Sequence, residues 1–264
     1  MGKQVQVVLT VHDLAFAREP AWFGRDQAAI LLERTRAAAR RASAVVVPTE
    51  ATAHDVGRWL EARRIEVIPF GADHEQVPHA VVPLPQGERP HVLCTGTIEP
   101  RKNHARLLQA WRMLPEPRPL LVVVGRRGWE CAATVAELQA ASREGWLTWH
   151  EHADDAHVAA LLQGAVACVY PSLWEGFGFP PLEAMRAGVP VVCGDCAPLQ
   201  ENCADAALAC DASDPAAIAA AVQRVLADGA LRERLVQGGR EVVQRFQWAE
   251  CARRHAVLYR EVCA

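Results

Sequence analysis

Residues 165–185 read AVACVYPSLWEGFGFPPLEAM: an unbroken apolar run, a loop holding two glycines, and a helix start marked by two prolines. A strand apolar at every position, instead of every second one, is buried on both faces, as in a parallel sheet covered by helices. The loop that follows then lies at the carboxyl end of a buried strand, where open α/β sheets bind their ligands.

Working outward, the same alternation repeats on both sides. Upstream come HVLCTG (91–96), a helix over 103–113, PLLVVVG (119–125), a helix over 131–143, WLTWHEH (146–152) and a helix over 154–162. Downstream, a helix over 181–187 leads to VPVVCG (189–194), AALAC (206–210), a helix opened by Asp214 and Pro215, and a last helix over 249–262. Aspartate caps a free backbone N–H and proline at the first turn loses no bond, so the Asp-Pro pair is a good helix start. Nearer the N-terminus, VQVVLTV (5–11), AVVVP (44–48) and IEVIPFG (65–71) enclose a helix over 26–41 and a shorter one. Strands alternating with helices predict the α/β class with parallel sheets.

The stretch ADHEQVPHAVVPLPQGERP (72–90), rich in proline and of mixed polarity, is the natural linker. The expected organisation is a small Rossmann-like portion over 1–72, a linker over 73–90, a complete Rossmann-like domain over 91–245, and a C-terminal helix over 246–264 that packs back on the first portion.

The chain has 264 residues, 22% of them charged, with a formal net charge of −3. Acids and bases are interleaved, so nucleic acid is not the expected partner. The basic run at 34–41 (RTRAAARR) fits a solvated helix face, with a peripheral anionic membrane contact as the second reading. No apolar run reaches the roughly 18 residues of a membrane helix, and the N-terminus lacks signal-peptide order, so a cytoplasmic location is expected. Nine cysteines, an odd number scattered through strands and helices, read as reduced thiols. The lone pair Cys193 and Cys196 reads as structural, and His150, His152 and His157 read as surface side chains without a metal.

Two segments carry chemistry. In SLWEGFGFPPLEAM (172–185), Gly176 and Gly178 are expected to let the backbone approach a ligand closely, and the helix start offers free N–H groups to an anion. Glu175 and Glu183, eight positions apart, are placed to accept hydrogen bonds from paired hydroxyls of a sugar and a ribose. In TGTIEPRKN (95–103), Arg101 and Lys102 stand at the mouth of a strand, where they can meet a diphosphate and stabilise charge on a leaving phosphate. Because Glu175 and Lys102 fall in loops, replacing either is expected to spare the fold. Trp174 and Phe177 suit core and pocket wall equally, and Asp13 is expected to fix its loop by bonding nearby amides.

These two segments, EPRKN and EGFGFPPLEAM, resemble the retaining glycosyltransferases of family 4, whose GT-B fold sets two Rossmann-like domains face to face. The similarity covers nearly the whole chain and is strongest to a bacterial mannosyltransferase-like branch acting in polysaccharide or O-antigen assembly. The resemblance implies that Glu175 contacts the transferred sugar and Glu183 the ribose. It implies that Arg101 and Lys102 neutralise the diphosphate, that amides of Gly176, Phe177, Gly178 and Phe179 cradle it, and that His12 reaches across the cleft to the donor. Many relatives carry arginine where Thr97 stands here. The family also has a longer N-terminal domain before the segment HDL (12–14), so the first portion reads as a remnant whose sheet edge calls for a partner chain or an oligomer.

The expected reaction is transfer of a hexose, with a leaning to mannose and GDP-mannose, from a nucleotide-diphosphate sugar to a saccharide or lipid-linked acceptor. Retention is expected because no placed nucleophilic carboxylate is evident. No cofactor or metal is expected, since the bases and helix-end amides supply positive charge. Two other readings stand beside it: a catalytically silent module that binds a nucleotide sugar, and a sugar-nucleotide epimerase, which would need dedicated proton-transfer groups around the sugar.

Overall fold

The computed structural model describes residues 5–73 and 90–264; most of the expected linker lies outside them. Two parallel sheets form. The first holds β1 (Val8–Thr10), β2 (Ala44–Val47) and β3 (Ile65–Val67) in that order, with α1 (Ala15–Arg18), α2 (Arg25–Arg41) and α3 (Glu50–Trp59) in the connections. The second holds six strands, β4 (His91–Thr95), β5 (Leu120–Val124), β6 (Leu147–His150), β7 (Ala165–Tyr170), β8 (Val191–Gly194) and β9 (Ala207–Cys210). Their order is β6-β5-β4-β7-β8-β9, so the winding reverses between β4 and β7. The crevice at that reversal is where ligands bind in doubly wound sheets.

The helices of the second unit are α4 (His104–Met113), α5 (Ala132–Arg143), α6 (Asp155–Gly164), α7 (Phe179–Arg186), α8 (Ala197–Cys203), α9 (Pro215–Ala227) and α10 (Gly229–Val242). Side chains alternate across a strand. Val92 and Cys94 of β4 therefore join α4, α5 and α9 in one core cluster, while Leu93 joins α7 and α8 in another. Both faces being covered explains why these strands are apolar throughout. Asp214 caps α9 as its sequence suggests, accepting from Ala216 N at 2.9 Å, and Asp154 and Thr49 cap α6 and α3. The helix expected over 181–187 starts earlier, at Phe179, because Gly178 takes φ +88° and turns the chain into the helix before the prolines.

The last helix, α11 (Trp248–Cys263), lies against the first sheet. Its Cys251 and Leu258 share a cluster with Ala44, Val46 and Ile68, while Val45 and Val47 face α2 and α3 on the other side. Leu258 is 3% exposed; burying a leucine this fully contributes about 1.5–3 kcal/mol. The join is close. A Cβ on Gly71 would fall on the backbone and ring of Trp248, and Trp248 N donates to Asp73 Oδ1 at 2.7 Å. β1 is an edge strand of its sheet, and Val5, ahead of it, is 84% exposed.

All nine cysteines are free, and no group of three metal-ligating side chains occurs among the described residues. His150 and His157 make an edge-to-face ring contact at 4.7 Å. No helix among the described residues is long and apolar enough to cross a membrane. The basic run sits on the outer turns of α2, where Arg36 pairs with Glu33 and Arg40 with Glu61.

Candidate active site

The β4–α4 and β7–α7 loops meet at the reversal point, held together from below by one asparagine. Asn103 adopts a left-handed conformation, φ 63°, and its Nδ2 donates to the carbonyls of Pro171 (3.0 Å) and Ala212 (2.7 Å). The loop ahead of it makes a 3-10 turn over Pro100–Lys102, which aims Arg101 and Lys102 at the neighbouring loop. The Lys102 stem runs past Gly96, whose φ of +146° is a backbone conformation that favours glycine.

Glu175 sits at the centre, 5% exposed. It accepts from Lys102 Nζ at 2.6 Å, from Arg101 Nη1 at 3.0 Å and from the Tyr170 hydroxyl at 2.7 Å. Lys102 also donates to Tyr170. Burial pushes the Glu175 carboxyl up, but Lys102 and Arg101 outweigh it and hold the group below the usual glutamate range. Burial would likewise lower Arg101, and Glu175 and Glu99 reverse that and raise it. Tyr170 is pushed well up by burial and by the Glu175 charge. Under the cluster His104, the first residue of α4, is buried and driven to about 3 by burial and by Lys102, so it stays neutral.

A buried carboxylate with three charged or hydroxyl partners is part of the fold. Removing Glu175 would leave Lys102 without its carboxylate and Arg101 with Glu99 alone, an arrangement that argues against the expectation that its loss spares the fold.

The glycines of the bend also make room for neighbouring protein atoms. A Cβ on Gly176 would strike the backbone carbonyl of His12, and one on Gly178 would strike the side chain of Leu199. At Gly176 the close approach is between the two units, and at Gly178 it is to α8 of the same unit. Gly176 O also accepts from Thr49 Oγ1 at 3.0 Å, and Phe177 O accepts from Asn202 Nδ2 at 2.6 Å. Pro180 and Pro181 have no N–H to offer, which leaves the first-turn donors of α7 concentrated ahead of them, around Phe179.

His12 is exposed at the end of β1, its ring 5.4 Å from Phe70, which in turn packs edge-on against Phe177 and stacked on Phe179. Asp13 Oδ1 accepts from Ala15 N at 2.9 Å and so fixes the loop. Thr97 is exposed beside Gly128, and Glu183 is half-buried on the second turn of α7. The site therefore brings Arg101, Lys102 and Glu175 into direct contact, and sets His12 against the same bend from the other unit.

Residues 79–242 match the family described as Glycosyl transferases group 1. The chain belongs to that family. Residues 1–76 of this glycosyltransferase match Glycosyltransferase Family 4. It is similar to O-antigen chain mannosyltransferase B of Escherichia coli, 31% identical over 93% of this chain and 68% of that one. It is also similar to the serotype-specific mannosyltransferase WbdA of Escherichia coli, 28% identical over 82% of this chain, and spans only 29% of that protein. Among solved structures, sucrose-phosphate synthase from Thermosynechococcus elongatus superposes with a TM-score of 0.84 at 27% identity, covering 97% of this chain and 68% of that one. The fold is GT-B.

Several residues of the glycosyltransferase site carry no motif signal. Arg18 of α1 stacks on Trp174, and Glu201 of α8 accepts from the free amides of Glu50 (2.8 Å) and Ala51 (3.1 Å) at the start of α3. Trp129 donates to the Trp22 carbonyl at 2.7 Å and stacks on Phe23, a second bridge between the units. An arginine, glutamate or aromatic outside a motif gives no hint of such a partner. Tyr170 and Glu99 were findable, because a hydroxyl at the end of a buried strand and a carboxyl inside a motif each need a polar partner.

Proposed function

We propose that the chain transfers a hexose, with mannose the leading candidate, from a nucleotide-diphosphate sugar to a saccharide or lipid-linked acceptor with retention of anomeric configuration. The observation that carries this reading is Glu175, buried between Arg101 and Lys102 at the reversal point of the second sheet. The two mannosyltransferase relatives support the choice of sugar.

In this reading the donor diphosphate takes up Arg101 and Lys102 together with amides around Phe177 to Phe179, and Glu175, freed in part, accepts from sugar hydroxyls. Glu183 receives the ribose. Charge building on the departing diphosphate is stabilised by the two cations. The departing phosphate oxygen accepts the proton of the incoming hydroxyl on the same face, and His12 orients the sugar from the opposite unit. Positive charge from side chains and amides makes the reaction independent of metal. The enzyme works on the cytoplasmic side, where a peripheral contact through α2 brings it to a lipid-linked acceptor.

The test is incubation with GDP-mannose and with UDP-glucose in the presence of mannose oligosaccharides, with the product linkage read by NMR. An α-linked product from an α-linked donor supports the proposal. Hydrolysis alone, or an inverted product, overturns it.

A further inference from the structure

Glu99 is the one acid of the cluster without a full set of partners. It is 4% exposed, its Oε1 lies 2.8 Å from Arg101 Nε, and its Oε2 has no hydrogen-bond partner among the described residues. The Arg101 contact is an ion pair without hydrogen-bond alignment, so even this oxygen is held by charge alone. The groups facing Glu99 are Arg101 and Lys102 from its own loop, Glu175 from the β7–α7 loop and Asp13 from the β1–α1 connection. The β5–α5 loop packs on it through Gly128, with Arg127 turned away to Glu151 at 2.8 Å.

Charge counting then poses a problem for the proposed donor. Glu99 and Glu175 already balance Arg101 and Lys102, and Asp13 adds further negative charge. A diphosphate entering this cluster needs a carboxylate to give way. Glu175 is held by three hydrogen-bond donors, and Glu99 only by its ion pair with Arg101. When a diphosphate recruits Arg101 and Lys102, Glu99 is left buried without its ion-pair partner, and a buried carboxylate in that position takes up a proton.

We propose that Glu99 is a positioning residue that holds the Arg101 guanidinium by its Nε edge, and that it takes up a proton from solvent when the diphosphate of a sugar nucleotide engages Arg101. The step breaks no covalent bond: the Glu99–Arg101 pair is exchanged for an Arg101–phosphate pair and a neutral Glu99 carboxyl. Burial already raises the Glu99 carboxyl, against the pull of Arg101, so loss of that pull raises it further. Uptake therefore occurs between the free and bound pKa values, and binding weakens as pH rises through that window.

The proposal rests on the donor reading above, and its test separates the two. Calorimetry with GDP-mannose and UDP-glucose, whose diphosphates do not titrate near neutrality, is run in two buffers of different ionisation enthalpy. Wild-type protein is expected to take up close to one proton per bound sugar nucleotide, with affinity falling up to about tenfold per pH unit inside the window. E99Q should bind with no proton uptake and with an affinity flat in pH, while Glu99→Ala should raise KM more than it lowers kcat because Arg101 loses its rest position. Binding without proton uptake in wild type, or with equal uptake in E99Q, overturns the role of Glu99 and leaves the donor reading standing. Binding of neither probe overturns both.

Discussion

The guanidinium of Arg18 lies 3.6 Å from the ring centre of Trp174 while its Nη2 pairs with Asp55 at 2.6 Å. Asp55 is buried, and burial raises its carboxyl despite Arg18. A cation from the first unit therefore rests on the residue immediately before Glu175, so the position of the β7–α7 bend depends on contact between the units.

Arg18→Ala removes the stacking and strands a buried carboxylate. Because Arg18 is partly exposed, the expected cost is about 2–3 kcal/mol, at or below the lower end for a broken buried pair. Urea unfolding checks it, and the KM for the sugar nucleotide should rise together with the loss of stability.

Gly176→Ala should separate the halves. The added Cβ meets a backbone carbonyl that cannot rotate away, so the strain of about 1–3 kcal/mol is relieved by opening the cleft. Transfer should fall tenfold or more, with an increased radius of gyration in solution scattering. Gly57→Ala is the counterpart: within α3 and facing open space, it should stabilise by about 0.5–1 kcal/mol.

Glu175 predicts the acid response. Its folded carboxyl is depressed by Lys102 and Arg101, so its contribution is fully present above the ordinary glutamate range and is lost as pH falls from that range through the lower folded pKa. At pH 7, Glu175→Gln should cost about 2–4 kcal/mol and abolish most transfer. The stability gap between wild type and variant should narrow on acidification toward pH ~4; a gap that widens would contradict the pairing.

Chelation gives a further check. With positive charge supplied by Arg101, Lys102 and amides, transfer should be unchanged by EDTA. Activity that disappears with EDTA and returns with manganese would refute the metal-independent reaction.

Much of the fold was legible because its signals are local. Unbroken apolar runs such as 119–125 mark strands buried on both faces, and Asp214-Pro215 marks a helix start, through forces acting within a few residues. The two motifs of the site were equally visible. Not legible was a second constraint on Gly176, whose missing Cβ makes room for the His12 carbonyl. Nothing within a dozen residues of Gly176 announces that neighbour. Asn103 likewise reads as the tail of a motif, and only the fold shows it tying three loops together.

The sequence by itself determined the alternation of strand and helix, the sheet type, and which short segments hold the acids and bases of the site. Tertiary structure alone decided how those charges are spent. Lys102 and Glu175 are 73 positions apart and meet because β4 and β7 are neighbours in one sheet, whereas Arg18 and Trp174 belong to different units and meet only where the two sheets dock. Whether a charge meets water, a counter-ion or an aromatic ring is set by burial and geometry at that junction, and residue type records neither.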